Sequence, residues 1–460
     1  MGDTNKTKLF ESTPVKKAVL TLAIPTVISS LVMVIYNLAD TYFVGMLNSP
    51  IENAAVTLAA PILLAFNAVN NLFGIGASSM MSRGLGKKDY DTVYHSSAFA
   101  FYSSVICGIL FSVLYTVFKN SVLKGLGTEA DTIAATGEYL KWTVTCGAIP
   151  SILNVVMGHM VRAEGSALHA SIGTISGCLL NIVLDPIFIM PWGLGMGAAG
   201  AGFATFISNC VACMYFFVLL FVKRGNTYVC IKPKMMKSNK TIILGILVVG
   251  VPAAIQNLLN VTGMTILNNL TASYGADAVA AMGISQKINM VPLYIAMGLG
   301  QGIMPLVSYN YASKNIKRMK DAIKYAMIIS LVFMTVTTIV YYIGAGGLTE
   351  MFMKNEVIVS YGTRFLRALC LGLPFLCVDF LAVGVFQACG YGKLSLIFAI
   401  LRKIVLEIPA LIVLNYGYPM YGLAFSQAVA EFIMTVISLV VLARIFTKLE
   451  KTCLGAPVCS

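Results

Sequence analysis

The feature that most constrains this chain is a series of twelve long apolar segments separated by short polar clusters. Each is about 20 residues or longer, the length that an α-helix needs to cross a bilayer. Only 11% of the residues are charged, whereas soluble domains carry about 25%. The sequence therefore predicts an all-α polytopic membrane protein with twelve transmembrane helices. The predicted spans are 18–46, 54–82, 92–118, 133–161, 168–190, 198–222, 241–270, 279–308, 320–345, 358–388, 395–416 and 420–446.

Lysine and arginine are distributed unevenly between the two sides of these spans. With the N-terminus in the cytoplasm, 25 of the 32 fall on the cytoplasmic side, six fall on the other side, and Lys287 lies inside a span. The 25 include Arg402 and Lys403, at the start of the eleventh span. Because cytoplasmic loops are enriched in Lys and Arg, both termini are expected in the cytoplasm. The net charge of +13 then reflects topology, and we expect no nucleic-acid partner.

The two halves of the chain repeat each other at an offset of about 220–227 residues. Pro25 and Pro252 each lie about eight residues into a span, and NIVLDP (181–186) is matched by KIVLEIP (403–409). The matches keep their order, which predicts two six-helix bundles in the same orientation, as in secondary transporters that alternate access. The predicted parts are a tail (1–17), an N-lobe (18–222), a linker (223–240), a C-lobe (241–446) and a second tail (447–460).

Two carboxylates lie deep in the apolar spans of the first half, at Asp40 and Asp185. A carboxylate at the bilayer centre costs roughly 2.5–3.5 kcal/mol, and it lowers this cost by taking a proton, facing water or holding a cation. Asn181 shares a helix face with Asp185, and Pro186 cannot donate a backbone hydrogen bond. This pattern favours an ion or proton site, although a purely structural hydrogen-bonding role stays open.

Several motifs, in order along the chain, resemble the multidrug and toxic compound extrusion (MATE) family. They are IPTVISSLVMVIYNLADTYFVG, SSMMSRGLGKKDY, RAEGSALHA, NIVLDPIFI, GAAGAGFATFISN and GLGQGIMPLVSYNYASKN. The resemblance covers about residues 15–446 and is strongest to the bacterial branch of DNA-damage-inducible-F-like and staphylococcal multidrug exporters. It implies two six-helix lobes facing a central cleft. It also implies an antiporter of the bacterial cytoplasmic (inner) membrane that exports amphiphilic, mainly cationic drugs or toxic metabolites in exchange for H⁺ or Na⁺.

The resemblance also implies roles for particular residues. It places the coupling site at Asp40, Asn181, Asp185, Thr205 and Tyr139. It makes Pro25 a conformational hinge, with a static kink as the alternative. The side-chain oxygens of the five coupling-site residues suit Na⁺ or a proton network, so we expect no structural metal and no cofactor beyond the coupling ion. We also expect a functional monomer in the lipid bilayer.

The substrate cleft is predicted from polar, aromatic and methionine side chains, which adapt to varied ligands. These residues are Met33, Tyr36, Asn37, Asn154, Met157, Gln256 and Asn257. The alternative for the methionines is simple packing, and the alternative for the amides is hydrogen bonding between helices.

The second half carries further charged residues inside its spans: Asp379, Glu407, Lys287 and Glu431. Some relatives of this family pair a Glu on the seventh span with an Asp on the tenth, but here the seventh span offers only amides. A second ion site is therefore in doubt, and Lys287 is expected to pair with an acid.

Two other functions were weighed against the antiporter. A flippase of lipid-linked oligosaccharides from the same superfamily needs a basic cavity, which Asp40 and Asp185 disfavour. An intramembrane enzyme needs a nucleophile–base pair or a metal cluster, and the sequence has neither pattern. The GxxxxGK[ST] phosphate-binding loop is also absent, so we expect the energy to come from a gradient or from a separate partner.

Overall fold

The computed structural model describes residues 4–237 and 239–454, which form helices and no strand. Helical backbone is expected here, because a segment in lipid must satisfy its N–H and C=O groups internally. The helices of the first half, in chain order, are α1 (Thr4–Glu11), α2 (Val15–Met46), α3 (Pro50–Gly86), α4 (Tyr90–Val117), α5 (Lys119–Gly125), α6 (Ile133–Leu140), α7 (Ala148–Ala163), α8 (Ala167–Ile189) and α9 (Ala198–Val222).

The second half continues with eight helices. They are α10 (Lys240–Ala272), α11 (Ala276–Ala312), α12 (Ile316–Glu350), α13 (Glu356–Cys370), α14 (Leu373–Cys389), α15 (Gly392–Ile400), α16 (Ile408–Gly417) and α17 (Tyr421–Leu454). Two π-helical stretches, Lys141–Cys146 and Leu401–Glu407, link α6 towards α7 and α15 to α16.

Every predicted span is helical. Within the described residues, nine single helices are long and apolar enough to cross a membrane. Two further spans are bent pairs, Ile133–Cys146 with Ala148–Ala163 at 52° and Glu356–Cys370 with Leu373–Cys389 at 45°. The eleventh predicted span runs through α15, the second π-helical stretch and α16 without a break.

The helices extend into both predicted tails. Helix α1 occupies part of the first tail, where Phe10 is 1% exposed and stacks on Tyr309 with ring centroids 5.0 Å apart. Helix α17 continues to Leu454, eight residues into the predicted range of the second tail. Polar composition hid these helical turns, because a helix end outside the bilayer does not need an apolar sequence.

The sequence repeat is visible in the local structure. Lys88 and Lys314 end α3 and α11 in the left-handed conformation, with φ of 59° and 60°. Asp89 and Asn315 follow them and cap the next helices, accepting hydrogen bonds from backbone N–H groups at 3.1 and 3.2 Å. Side-chain oxygens at this position satisfy donors that a helix start leaves free.

A pair of interhelical hydrogen bonds repeats in the same way. Ser82 donates to the Ala163 carbonyl at 2.9 Å, and Ser308 donates to the Ala388 carbonyl at 2.9 Å. Small hydroxyl side chains of this kind let neighbouring helices approach and bond in a membrane.

The described residues divide into two compact units. The first holds residues 4–9 and 28–254, and the second holds residues 10–27 and 255–454. The division differs from the predicted lobes in the first halves of α2 and α10. In both helices it falls two residues after the repeat proline, Pro25 or Pro252.

The first half of α2 belongs to the second unit and the first half of α10 to the first unit, and we call these two parts the exchanged segments. Each of them packs against a glycine at a matching position of the repeat. In the first unit, a Cβ on Gly76 would lie 2.5 Å from the Ile246 carbonyl oxygen of α10. In the second unit, a Cβ on Gly302 would lie 2.8 Å from the Ala23 Cα of α2. A larger residue at either position would push the segment away.

Candidate functional site

The five residues predicted to hold the coupling ion all lie in the first unit, on helices α2, α6, α8 and α9. Asp185 is fully buried, Asn181 is 2% exposed and Tyr139 is 5% exposed. Asp40 and Thr205 are half-buried. We call these five residues, together with Tyr36, the carboxylate cluster.

Hydrogen bonds join the members on α8 to those on α9 and α2. With the amide oriented to suit its neighbours, Asn181 Nδ2 donates to Asp185 Oδ2 at 2.9 Å, and Asn181 Oδ1 accepts from the Thr205 backbone N–H at 3.1 Å. The Tyr36 hydroxyl hydrogen-bonds the Thr205 side chain. These bonds connect Asp185, Asn181, Thr205 and Tyr36 in one polar network inside an apolar bundle.

The two carboxylates share one electrostatic environment. The charge of Asp40 acts on Tyr36, Tyr139 and Asp185. In the part of the chain that the structure describes, neither carboxylate forms an ion pair with a base. Two neighbouring carboxylates without a counter-charge in an apolar bundle are costly to keep ionised together.

A glycine sets the close contact between α6 and α9. A Cβ on Gly202 would lie 2.9 Å from the Tyr139 carbonyl oxygen, so only glycine allows this approach. Thr205 lies three residues later on the same face of α9. Tyr139 comes just before the first π-helical stretch, and α8 continues through Pro186 to Ile189.

The residues predicted to line a substrate cleft have varied surroundings. Asn37 donates to the Met33 carbonyl in its own helix at 2.9 Å, and Asn154 donates to Asn209 at 3.2 Å. Met157 is fully buried and packs in the core.

In the second unit, Gln387 donates to Gln256 at 3.3 Å. Four residues of the predicted cleft are half-buried, which leaves part of each side chain accessible. They are Met33 and Tyr36 in the first unit and Gln256 and Asn257 in the second unit.

The second unit contains a buried ion network centred on Arg402. Its Nη1 donates to Asp379 Oδ2 at 3.2 Å, and its Nη2 donates to Asn260 Oδ1 at 2.7 Å. Its Nε lies 3.6 Å from Glu431 Oε1, and its guanidinium lies 4.8 Å from the centre of the Phe380 ring. Arg402 is 5% exposed and both acids are at most 1% exposed, so this arginine neutralises charge inside the bundle.

A second ion pair lies beside this network. Lys403 Nζ is 2.6 Å from Glu407 Oε1, and both residues lie in the second π-helical stretch. These residues and Arg402 line a cavity of about 240 Å³. Our assignment of Arg402 and Lys403 to the cytoplasmic count was therefore wrong, because the structure buries both against acids.

Lys287 does not follow the expectation of an ion pair. Its side chain is exposed on α11, and no acid pairs with it within residues 4–237 and 239–454. In the ion pairs of the described residues, the three second-unit acids Asp379, Glu407 and Glu431 face two bases, Arg402 and Lys403.

Comparison with known families identifies this architecture. The family model described as MatE matches residues 25–187 and again residues 252–413. The chain belongs to the MatE family. The two MatE matches begin at Pro25 and Pro252, which confirms the repeat predicted from the sequence.

Curated relatives and solved structures agree with the MatE assignment. Multidrug export protein MepA of Staphylococcus aureus is 34% identical over 424 residues, covering 92% of each chain. The MepA protein of Staphylococcus haemolyticus is 34% identical over 423 residues, again covering 92% of each.

The solved structures match nearly the whole fold. A crystal structure of MATE in complex with MaL6 has a TM-score of 0.92 and 26% identity, covering 97% of this chain and 100% of that one. An outward-facing multidrug resistance MATE family transporter of the MOP superfamily has the same TM-score and identity, covering 97% and 99%. The predicted all-α, two-bundle membrane fold is therefore confirmed.

The MatE motifs did not reveal Arg402 or Asn260 as partners of Asp379. Arg402 lies 23 residues from Asp379 and 142 residues from Asn260 along the chain, so no local spacing signals the contact. The one available signal was a base placed next to a predicted intramembrane acid, because such charges are usually paired.

Proposed function

We propose that this protein is a secondary active antiporter that exports amphiphilic, mainly cationic compounds in exchange for H⁺ or Na⁺. The multidrug export named for the staphylococcal relatives supports the substrate class. We place it in the bacterial cytoplasmic membrane, with both termini in the cytoplasm, acting as a monomer without a further cofactor.

The observation that carries this proposal is the absence of a base beside the two carboxylates of the cluster in the described residues. Asp40 and Asp185 must take a compensating positive charge from outside the chain, and a proton or Na⁺ provides it. Release of that ion leaves a negative site that attracts a cationic substrate. Exchange between the two cations is antiport.

The other cluster residues have supporting roles in this proposal. Asn181 holds the Asp185 carboxylate through its hydrogen bond, and the Thr205 backbone N–H in turn holds the Asn181 amide. Tyr36 and Tyr139 offer hydroxyl oxygens. Oxygen ligands of this kind serve Na⁺ or a proton network alike.

Pro25 is the proposed hinge. Two residues after Pro25, helix α2 passes from the second unit into the first unit. A bend there would move Asp40, which lies on the same helix. Helices bend at proline because one backbone hydrogen bond is missing.

Substrate contacts are proposed within each unit, along its partly accessible polar, aromatic and methionine side chains. In the first unit these are Met33, Tyr36 and Asn37, and in the second unit they are Gln256 and Asn257. Asn154, which was also predicted, is buried. The acidic cluster disfavours an oligosaccharide flippase, whose anionic cargo needs basic groups.

The test is transport by purified protein in liposomes loaded with a fluorescent cationic dye. We expect dye movement when a pH gradient alone or a Na⁺ gradient alone is imposed, and the ion that suffices is the coupling ion. Asp40→Asn and Asp185→Asn should each reduce gradient-driven transport to the rate of empty liposomes.

Asp277→Asn is the matched control, because Asp277 is an exposed acid at the start of α11. It should transport like the unmodified protein. Size-exclusion chromatography of each variant separates loss of folding from loss of coupling. Full transport by both cluster variants would overturn the proposal.

A further inference from the structure

A large groove lies where α9 ends and the linker begins, entirely within the first unit. Its volume is about 970 Å³. One wall is the last two turns of α9, including Phe217, Val218 and Phe221. The other wall is the linker segment from Arg224 to Met235. We call this feature the linker groove.

The linker wall is held firmly by α4. The Cys230 backbone N–H donates to Ser97 Oγ at 2.9 Å, and the Tyr102 hydroxyl donates to the Ile231 carbonyl at 2.8 Å. Further along, His95 Nδ1 is 2.7 Å from the Met235 carbonyl oxygen. These bonds hold the wall in place, so the groove does not depend on a ligand for its shape.

A buried acid fixes the start of the same wall. Glu164, which is 2% exposed, accepts hydrogen bonds from the Tyr228 backbone N–H at 2.7 Å and from the Thr227 hydroxyl at 2.9 Å. The Tyr228 ring stacks on Tyr90 with centroids 5.5 Å apart. Because several hydrogen bonds already order this segment, it loses little further conformational entropy when it binds a ligand.

The helix wall of the groove is apolar and uncovered. Val218 is 53% exposed and Phe221 is 75% exposed. They belong to a helix that is long and apolar enough to cross a membrane and that ends at Val222, so we expect this surface to face hydrocarbon near the edge of the bilayer. An acyl chain is the natural partner of such a surface.

The groove also has two exposed basic residues in its lining. Arg224 and Lys232 line it and are exposed. Neither forms an ion pair in the regions that the structure describes. Residues 223–240 contain six Lys or Arg and no acid. The groove therefore combines an apolar wall with two cations that form no ion pair among the described residues.

We propose that the linker groove binds one anionic phospholipid, with its phosphate between Arg224 and Lys232 and an acyl chain along Phe217, Val218 and Phe221. Basic residues near a membrane surface attract anionic lipids, and the apolar wall supplies the second contact that holds a lipid in one place. Lipid binding at this site does not depend on the transport activity, nor on which ion drives transport.

The experiment is native mass spectrometry of the full chain titrated with phosphatidylglycerol or phosphatidylcholine of identical acyl chains. We expect one saturable phosphatidylglycerol molecule, bound about tenfold more tightly than phosphatidylcholine. The double variant Arg224→Gln/Lys232→Gln should lose that preference.

The control is the double variant Lys234→Gln/Lys237→Gln. It removes the same charge from the same linker, but neither lysine lines the groove. It should keep the preference for phosphatidylglycerol. Equal loss in both double variants would show diffuse attraction to the basic linker and overturn the site. Equal affinity of the two lipids for the unmodified protein would overturn it as well.

Discussion

Asp185 accepts a hydrogen bond from the Asn181 amide, one helical turn before it, at 2.9 Å. At the matching place in the second repeat, Glu407 lies 2.6 Å from the ammonium of Lys403. Both repeats therefore keep a buried acid, but only the second supplies its own base within the same turn. This difference is the reason that we propose the exchangeable ion for the first unit.

Asn181→Lys would give the first repeat the arrangement of the second. The new ammonium would neutralise Asp185 permanently, so we expect gradient-driven dye transport to fall at least about tenfold, while the protein stays folded. Transport in liposomes and the thermal unfolding midpoint are the two measurements.

Asn268→Lys is the control for this change, because Asn268 is an exposed asparagine of α10 outside the carboxylate cluster. It should transport normally. If Asn181→Lys keeps the normal coupled rate, then Asp185 does not need an exchangeable charge.

Arg402→Met tests the buried ion network. It leaves Asp379 and Glu431 without their counter-charge, and breaking a buried pair in this way costs about 3–5 kcal/mol of unfolding free energy. Denaturant unfolding in detergent measures the loss. Arg444→Met, at an exposed position of α17, should change stability by less than about 0.5 kcal/mol.

A compensating variant makes this prediction stricter. Arg402→Met/Asp379→Asn/Glu431→Gln removes the stranded charges together with the arginine, so most of the stability should return. A single Arg402→Met variant as stable as the unmodified protein would show that the network contributes nothing.

Gly202→Val tests the close contact of α6 and α9. Its Cβ would lie 2.9 Å from the Tyr139 carbonyl oxygen and 3.3 Å from the Trp142 Cβ. Overpacking of this kind costs about 1–3 kcal/mol, and the displaced helix should also weaken coupling through Thr205.

Gly283→Val is the matched control, since nothing lies within 4 Å of its Cβ position in α11. The two variants should differ clearly in the midpoint of thermal unfolding. Equal midpoints would mean that α9 moves freely to accept the larger side chain.

Pro25→Ala tests the proposed hinge. Alanine restores the missing backbone N–H, which stiffens α2 and should lower the dye transport rate severalfold. Equilibrium dye binding by tryptophan quenching or fluorescence polarisation should stay unchanged, because Pro25 is remote from the carboxylates along the helix. An unchanged transport rate would support a static kink instead.

Sequence patterns predicted the spans and the repeat because membrane helices leave a strong local signal in hydropathy. They also selected Asp40, Asn181 and Asp185, whose polarity is unusual within a span. They could not place Arg402, because its contacts join α10, α14 and α17, and such pairing depends on the packing of distant segments. The same limit applies to Met157, since an apolar side chain looks alike whether it lines a cleft or fills a core.

The exchanged first halves of α2 and α10 also affect how the protein can be made. A ribosome delivers residues 10–27 first, yet Ala23 packs against Gly302 and Phe10 stacks on Tyr309, both from the second half of the chain. The early segment can therefore reach its final contacts only after α11 has been made. A gene cut at the linker would yield two fragments that each lack a helix segment of their own unit, so the halves can mature only together.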